Sequence, residues 1–381
     1  MVKLLRKVAF GLRTQGPKYL VRAPANEFAN PRLPITRALR RLVRNVQSRL
    51  AAPKPSDAEW SAGALQFIFD LSVAPLTFDF ISYLAAADMM RRRQRLSHMD
   101  VLFVAGDYRG VRRELPEYEA IVDAPMRSWR VRNVLAPALA LLPSVRSYSY
   151  CASREQAEVL ISANPSHVYP ADYLLNFPCQ PVKSMIHEAA RNGEAVWPML
   201  RATEAAKRFV ATYIERIAQG RRPVVISLRN YKFAPGRNSR TAEWLRFADE
   251  LDSARYAPIF VPDIEIAMTA TPNDFGGHAV CVAACWNLEI RMALYEAAWL
   301  NMGIMHGPME LCWYNEAACY AIFVEPGTEP TNSIAALTEH GHRVGYDLDF
   351  ATARQHMYWQ ADTLVNIRRA FAEAEATLLP S

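Results

Sequence analysis

Short apolar runs of strand length, each followed by an amphipathic stretch of helix length, recur along this chain. That alternation constrains the fold more than any other feature. Residues 65–70 (LQFIFD) are apolar almost throughout and end in an acid, the pattern of a strand buried on both faces whose carboxyl end meets a loop. A helix is expected from Phe78 to about Arg95, with Thr77 as candidate N-cap and the cations Arg91, Arg92 and Arg93 where the helix dipole favours positive charge. The run 100–104 (DVLFV), closed by Gly106, reads as a second strand. Strand, helix and strand in this order make a βαβ unit, which demands a parallel sheet. Helical patterning over 131–142 and a strand over 146–151 continue the series.

The same grammar restarts after a long amphipathic helix over 204–219 that stops at Gly220. Strands are expected over 223–229 (PVVISLR), 257–261, 279–283, 303–305 and 319–324, with helices over 241–253 and 288–300 between them and a last helix over 361–378. A chain of 381 residues exceeds what one hydrophobic core usually supports. The expected fold class is therefore α/β, two Rossmann-like domains facing a cleft, preceded by a basic N-terminal helical arm. The boundaries read as 1–57 for the arm and its linker, 58–203 and 204–360 for the two domains, and 361–381 for the C-terminal helix.

Charge is unevenly placed. Residues 1–50 hold twelve Lys or Arg against the single acid Glu27, a charge of +11; with +6 for the whole chain, the remainder carries −5. The basicity belongs to the arm, which argues against a nucleic-acid partner for the body. Leu4, Leu5, Val8 and Leu12, and then residues 35–50, space apolar positions helically among cations such as Arg37, Arg40, Arg41 and Arg44. Basic amphipathic segments of this kind suit an anionic membrane surface; packing of the arm on its own protein is the alternative. The most hydrophobic stretch, 65–90, is broken by Asp70, Pro75 and Asp79 and so is not a membrane span. No secretory signal is expected, and the protein reads as cytoplasmic, with peripheral attachment to the inner face of the membrane through the arm. The six cysteines (151, 179, 281, 285, 312 and 319) sit in apolar surroundings without metal-site spacing, which points to buried reduced thiols and no metal. Neither GxGxxG nor GxxxxGK[ST] occurs.

In open α/β sheets ligands lie beyond the carboxyl ends of the strands. In the second half those positions are polar: Arg229, Asn230, Tyr231 and Lys232, then Arg237, Asn238, Ser239 and Arg240. Guanidinium forks beside a helix start make a diphosphate site. Asp263 follows the next strand. His306, Gly307, Pro308 and Glu310 follow the strand near Ile304, with Glu310 able to accept hydrogen bonds from ribose hydroxyls.

The stretch 288–311 (LEIRMALYEAAWLNMGIMHGPMEL) resembles the nucleotide-sugar segment of GT-B glycosyltransferases, in particular their heptosyltransferase-like branch, where a helix, a short strand and a GP turn precede the donor-holding helix. Residues 226–229 (ISLR) with 237–239 (RNS) are similar to the Arg-bearing first strand of bacterial, fucosyltransferase-like C-terminal domains. The resemblance spans about 224–326. It implies an N-terminal acceptor domain, a C-terminal nucleotide-sugar domain, and transfer of a sugar to a surface-glycan or lipid-linked acceptor in bacterial polysaccharide synthesis. It implies no cofactor and no metal. Arg229, Lys232 and Arg237 would stabilise the departing diphosphate, with Asn238, Asp263, His306, Gly307, Pro308 and Glu310 completing the donor site. Asp70 would be the first choice of general base, then Asp79 and Asp107. Two other classes fit the same architecture: a nucleotide-sugar epimerase, and a non-catalytic nucleotide- or carbohydrate-binding scaffold.

Overall fold

The structure, a computed structural model, describes residues 19–50, 63–327 and 332–378. The arm's first apolar positions, 4 to 12, and the linker expected at 51–57 lie outside the described residues. Contacts divide the chain into two compact units, Met1–Ala74 with Met90–Arg113 and Arg146–Pro181, and Pro75–Met89 with Glu114–Val145 and Val182–Ser381. Residues 75–89 and 114–145, sequence neighbours of the first sheet, thus group with the second unit.

The first unit holds a four-stranded sheet in the order β3-β2-β1-β4, built from β1 (Ala64–Asp70), β2 (His98–Val104), β3 (Val145–Cys151) and β4 (Val168–Tyr169). All seven residues of β1 are buried and it pairs parallel with β2 from Ala64↔His98 to Asp70↔Val104, as its largely apolar run predicts. The two-residue β4 carries no sequence signal of its own; pairing with β1 alone makes it a strand.

The arm is helical over Tyr19–Ala29 and Pro34–Leu50, but its amphipathicity is used in the opposite sense to a cation-lined surface helix. Arg40 is fully buried and donates to the carbonyls of Asp172 (2.9 Å), Phe28 and Phe177. Arg37 pairs with the Asp172 carboxylate at 2.9 Å, and Arg44 donates to the Pro165 carbonyl. Arg37, Arg40 and Arg44 therefore anchor the helix to its own unit. The apolar residues Ile35, Leu39, Leu42 and Val46, spaced along one helical face, stay exposed.

The second unit is a six-stranded, all-parallel sheet in the order β10-β9-β8-β5-β6-β7. Its strands are β5 (Arg222–Ser227), β6 (Tyr256–Val261), β7 (Ala279–Val280), β8 (Leu300–Ile304), β9 (Tyr320–Phe323) and β10 (Gln355–Tyr358). Counting from β5, this is the doubly wound order of the Rossmann fold, with its reversal between β5 and β8. Behind it Ile226, Trp244, Phe260, Phe323, Ile367 and Phe371 form one core. The C-terminal helix Leu364–Leu378 belongs to that core, tied in by Asp362, which accepts from Trp244 Nε1 (2.8 Å) and Arg240 Nη1 (2.7 Å).

Two expectations need correction, and one strand comes from a run for which none was drawn. The run 279–283 pairs only at Ala279 and Val280, because Val282 turns helical and begins Ala283–Trp286. The helix expected over 288–300 stops at Ala297, since Trp299 donates to Pro223 and Asn301 to Cys319, drawing 300–302 into the sheet; tertiary pairing overrides local propensity. Residues 355–358 (QHMY) form a strand without an apolar run, by pairing with β9. All six cysteines are free and buried, as expected.

At the β5–β8 pairing Gly303 faces Ser227, and a Cβ on Gly303 would stand 2.5 Å from the Ser227 carbonyl oxygen, a backbone atom that cannot move aside. Gly303→Ala is therefore expected to cost about 1–3 kcal/mol as overpacking, lowering the thermal midpoint by several degrees. Gly236→Ala, which meets nothing within 4 Å, should leave the midpoint unchanged in the same calorimetric scan.

Candidate functional site

The reversal of strand order leaves a crevice beyond the carboxyl ends of β5 and β8, and the polar post-strand residues collect there. Two cavities of about 260 and 210 Å³ share Thr77, Phe78, Arg130, Arg229, Tyr231, His306 and Gly307 in their linings. Each is far larger than the space of a single water, and together they form one cavity in three parts, a common middle and an extension on either side.

The common middle is cationic. Arg130 donates to the hydroxyls of Tyr118 (2.9 Å) and Tyr231 (2.8 Å). Arg237 lines the same space on the side of the larger cavity. Arg229, buried at 7% exposure, serves chiefly to fold its loop: it donates to the carbonyls of Phe233 (2.6 Å) and Ala234 (3.0 Å) and to Asn238 Oδ1. Burial, reinforced by Arg237, pushes the Arg229 pKa down to about 10, which leaves it charged at neutral pH. His306 is buried with its Nε2 unpartnered; burial and the charges of Arg291, Arg229 and Arg237 hold it neutral. Gly307 is required here because a Cβ would come within 2.9 Å of the Phe78 ring.

The smaller cavity extends the middle towards Trp129, Ile264, Trp286 and Leu288, an apolar and aromatic lining with Asp263 and Arg291 as its charged members. Trp129 and Trp286 meet edge to face at 6.3 Å. Asp263 accepts from the Asn230 backbone N–H at 3.2 Å, and burial raises its pKa. Pro308 also lines this side.

The larger cavity extends the middle in another direction, where Asp79 and Lys183 form an ion pair and the Thr77 hydroxyl donates to Asp79 at 2.7 Å. Burial pushes the Asp79 pKa up, but Lys183 and Thr77 together outweigh it and hold the carboxylate ionised. Beside it Tyr314 donates to Ser82 (3.1 Å), which donates to Glu310 Oε2 (2.8 Å). Burial and the negative Asp79 push Glu310 up to about 8, against Lys183 and Ser82, so its carboxyl is protonated at neutral pH. Trp313, His340 and His342 complete this lining.

The cavity thus gathers Asp79, Arg229, Arg237, Asp263, His306, Gly307, Pro308 and Glu310 from the expected residues. It leaves out four. Asp70 lies in the first unit, 1% exposed, engaged by Arg154, by the Tyr173 hydroxyl (2.7 Å) and by Ser72 Oγ (2.6 Å); its lone pairs hold that unit together. Asp107 and Lys232 are exposed and line neither cavity. Asn238 braces the loop, accepting from Tyr231 N–H (3.0 Å) and donating to its carbonyl (3.2 Å). Glu310 lines the larger cavity and Asp263 the smaller. Arg130, Lys183, Ser82, Trp313, His340 and His342 had no sequence signal, since they come from segments outside the strand ends. Arg291 lies inside the stretch that carries the resemblance, at a helical position that burial alone marks out. Among the described residues no group of three or more His, Cys, Asp or Glu is arranged to hold a metal ion, and no helix is long and apolar enough to cross a membrane.

The chain matches no protein-family model and no curated protein. Solved structures resemble it. A glycosyl transferase family 9 protein from Veillonella parvula DSM 2008 aligns over 84% of this chain and 98% of its own, at 10% identity and a TM-score of 0.52. The ADP-heptose lps heptosyltransferase II of E. coli aligns over 82% of this chain and 98% of its own, at 12% identity and a TM-score of 0.47. The fold is the GT-B-like one, with two Rossmann-like α/β units, as the sequence resemblance implied.

Because the native pKa of Glu310 lies above the ordinary carboxyl range of about 4.3, the native state holds a proton that the unfolded chain releases. That contribution to stability is complete below the unfolded pKa and is lost as the pH rises through about 8. In a pH series of thermal midpoints, wild type should fall steadily relative to Glu310→Gln across this window. A constant gap between the two would show that the carboxyl is ionised throughout.

Proposed function

We propose that the protein is a glycosyltransferase that moves a sugar from a nucleotide-sugar donor to the hydroxyl of a surface-glycan or lipid-linked acceptor, without a metal. The observation that carries this reading is the three-part cavity at the strand-order reversal: an aromatic compartment, a cationic middle and a polar, hydrogen-bonding compartment, in that sequence. A nucleoside, a diphosphate and a sugar have the same sequence of chemistries. The glycosyl transferase family 9 protein of the same fold and the heptosyltransferase, whose name gives ADP-heptose as its substrate, are in keeping with it.

In this reading the base stacks among Trp129, Trp286 and Ile264, and Asp263 accepts hydrogen bonds from the ribose. Arg237 and Arg130 face the diphosphate, on a loop that Arg229 and Asn238 keep folded. The acceptor oxygen attacks the anomeric carbon as the bond from that carbon to the phosphate oxygen breaks. Negative charge develops on the departing diphosphate, where preorganised cations stabilise the transition state most. Asp79, kept ionised by Lys183, takes the acceptor's proton. This role passes to it from Asp70, whose oxygens are already engaged.

Attachment to an anionic membrane belongs to the same proposal, with a changed contact. The exposed stripe of Ile35, Leu39, Leu42 and Val46 supports insertion of an apolar face, flanked by the exposed Arg32 and Arg41, while the inward arginines hold the helix in place.

A thermal-shift screen against nucleoside diphosphates is the primary test, and one of them should stabilise the protein. Arg237→Ala should weaken that ligand by roughly 10- to 100-fold, the range of a lost charge-assisted hydrogen bond; silence across the screen would refute the donor site. Asp79→Asn should keep donor affinity while turnover falls by roughly 10²- to 10⁴-fold. Product analysis with donor alone separates transfer from epimerisation. For the membrane contact, Leu39→Glu with Leu42→Glu should abolish sedimentation with phosphatidylglycerol vesicles while leaving donor affinity intact. Undiminished sedimentation would place the contact elsewhere.

A further inference from the structure

Arg291 lines the smaller cavity and not the larger, and no step of the proposed transfer uses it. Its position is costly on three counts. It is 3% exposed, and burying a guanidinium is expensive unless its charge is paired. No carboxylate pairs with it among the described residues. It stands one turn into the helix Leu288–Ala297, near the end of the dipole that disfavours a cation. The protein supplies it with two neutral acceptors, the Ala284 carbonyl for Nε (2.6 Å) and the Tyr295 hydroxyl for Nη1 (3.3 Å). These fix the fork in place and leave the Nη2 N–H groups to the cavity. Trp286, Leu288 and Ile264 line the same compartment, and their side chains accept no hydrogen bond. Asp263 is the only carboxylate of this lining, and in the donor site it serves the ribose.

Resting on the nucleotide-sugar reading, we infer that Arg291 is a specificity-determining residue that holds a carbonyl oxygen of the base, so that the donor carries an oxo base and not adenine. A guanidinium only donates, and it stays protonated. It therefore selects for acceptors. A carbonyl oxygen has two lone pairs in the plane of the base and can take both Nη2 N–H groups. Guanine sets its N7 beside that oxygen, an acceptor pair that arginine matches with two N–H bonds, and cytosine sets its N3 beside its own. Uracil and thymine each offer two carbonyls. Adenine is the common base that has none. Its ring nitrogens carry one lone pair each, and beside two of them the amino group turns its own N–H towards the fork. Bound adenine would leave a buried cation poorly matched, and a site built around hydrogen bonds rejects most strongly the ligand that leaves its polar groups unmet. The diphosphate is no rival partner, because it belongs to the common middle, which Arg130 and Arg229 line and Arg291 does not.

Calorimetric titration of the full chain with ADP, GDP, UDP, CDP, dTDP and inorganic pyrophosphate tests this assignment. In wild type one of the four oxo-base diphosphates should bind more tightly than ADP by roughly tenfold or more, a ranking that needs no variant to read. Arg291→Gln replaces the donor-only fork with an amide that both donates and accepts, the pattern that suits adenine. It should weaken the preferred diphosphate by roughly tenfold, leave ADP and pyrophosphate at their wild-type affinities and so close most of the gap, a selective change that a purely structural role would not produce. ADP binding as tightly as the best of the others overturns the inference while leaving the donor site standing. So does an Arg291→Gln protein that keeps the wild-type ranking, or one that loses pyrophosphate and every nucleotide alike, which would put the guanidinium on the phosphates. Failure of all five nucleotides to bind wild type removes the donor site itself and this inference with it.

Discussion

The parallel pairing of β5 with β8 is the constraint on which the rest of the second unit depends. The two strands are some seventy-five residues apart in sequence, and each is followed by a polar loop. Their adjacency turns two unrelated loops into one wall: Arg229 leaves the end of β5, and His306 with Gly307 leaves the end of β8. The closeness of the pairing explains why residue 303 has no side chain, since Ser227 occupies the space opposite. With the strand order reversing at this pair, helices leave in opposite directions and no backbone fills the gap between them. The cavity follows from topology before any side chain is considered.

What lines the cavity then follows from electrostatic compensation. In the middle Arg130 donates to tyrosine hydroxyls and Arg229 to backbone carbonyls, neutral acceptors that leave their positive field available to an anion. The neighbouring compartment does the reverse, pairing Asp79 with Lys183 and leaving Glu310 and the histidines uncharged. In a low-dielectric pocket two adjacent carboxyl groups cannot both ionise cheaply. Lys183 therefore settles which acid keeps its proton, and with it which one is suited to accept a proton and which to donate a hydrogen bond.

Apolar burial, alternation of elements and post-strand polarity were legible in the sequence, because each is local. A strand buried on both faces must be predominantly apolar, and β1, β5, β8 and β9 are. A doubly wound sheet must place its ligand residues just after such strands, and Arg229, Asp263, His306 and Gly307 sit there. The same reasoning chose Asp70 as base, since it ends the first strand; nothing local reveals that Arg154 and Tyr173, more than eighty residues away, engage it.

By itself, then, the sequence determined the α/β class, the positions of most strands and the cationic character of the loops that follow them, because periodicity and strand-end chemistry act over a few residues. Only the tertiary structure decided the β5–β8 adjacency, the pairing of Asp79 with Lys183, the neutral state of Glu310 and the outward apolar face of the arm helix. Each of these depends on which distant groups meet and how far water is excluded when they do. Ionisation, hydrogen-bond partnership and exposure are properties of that encounter, and no residue carries them alone.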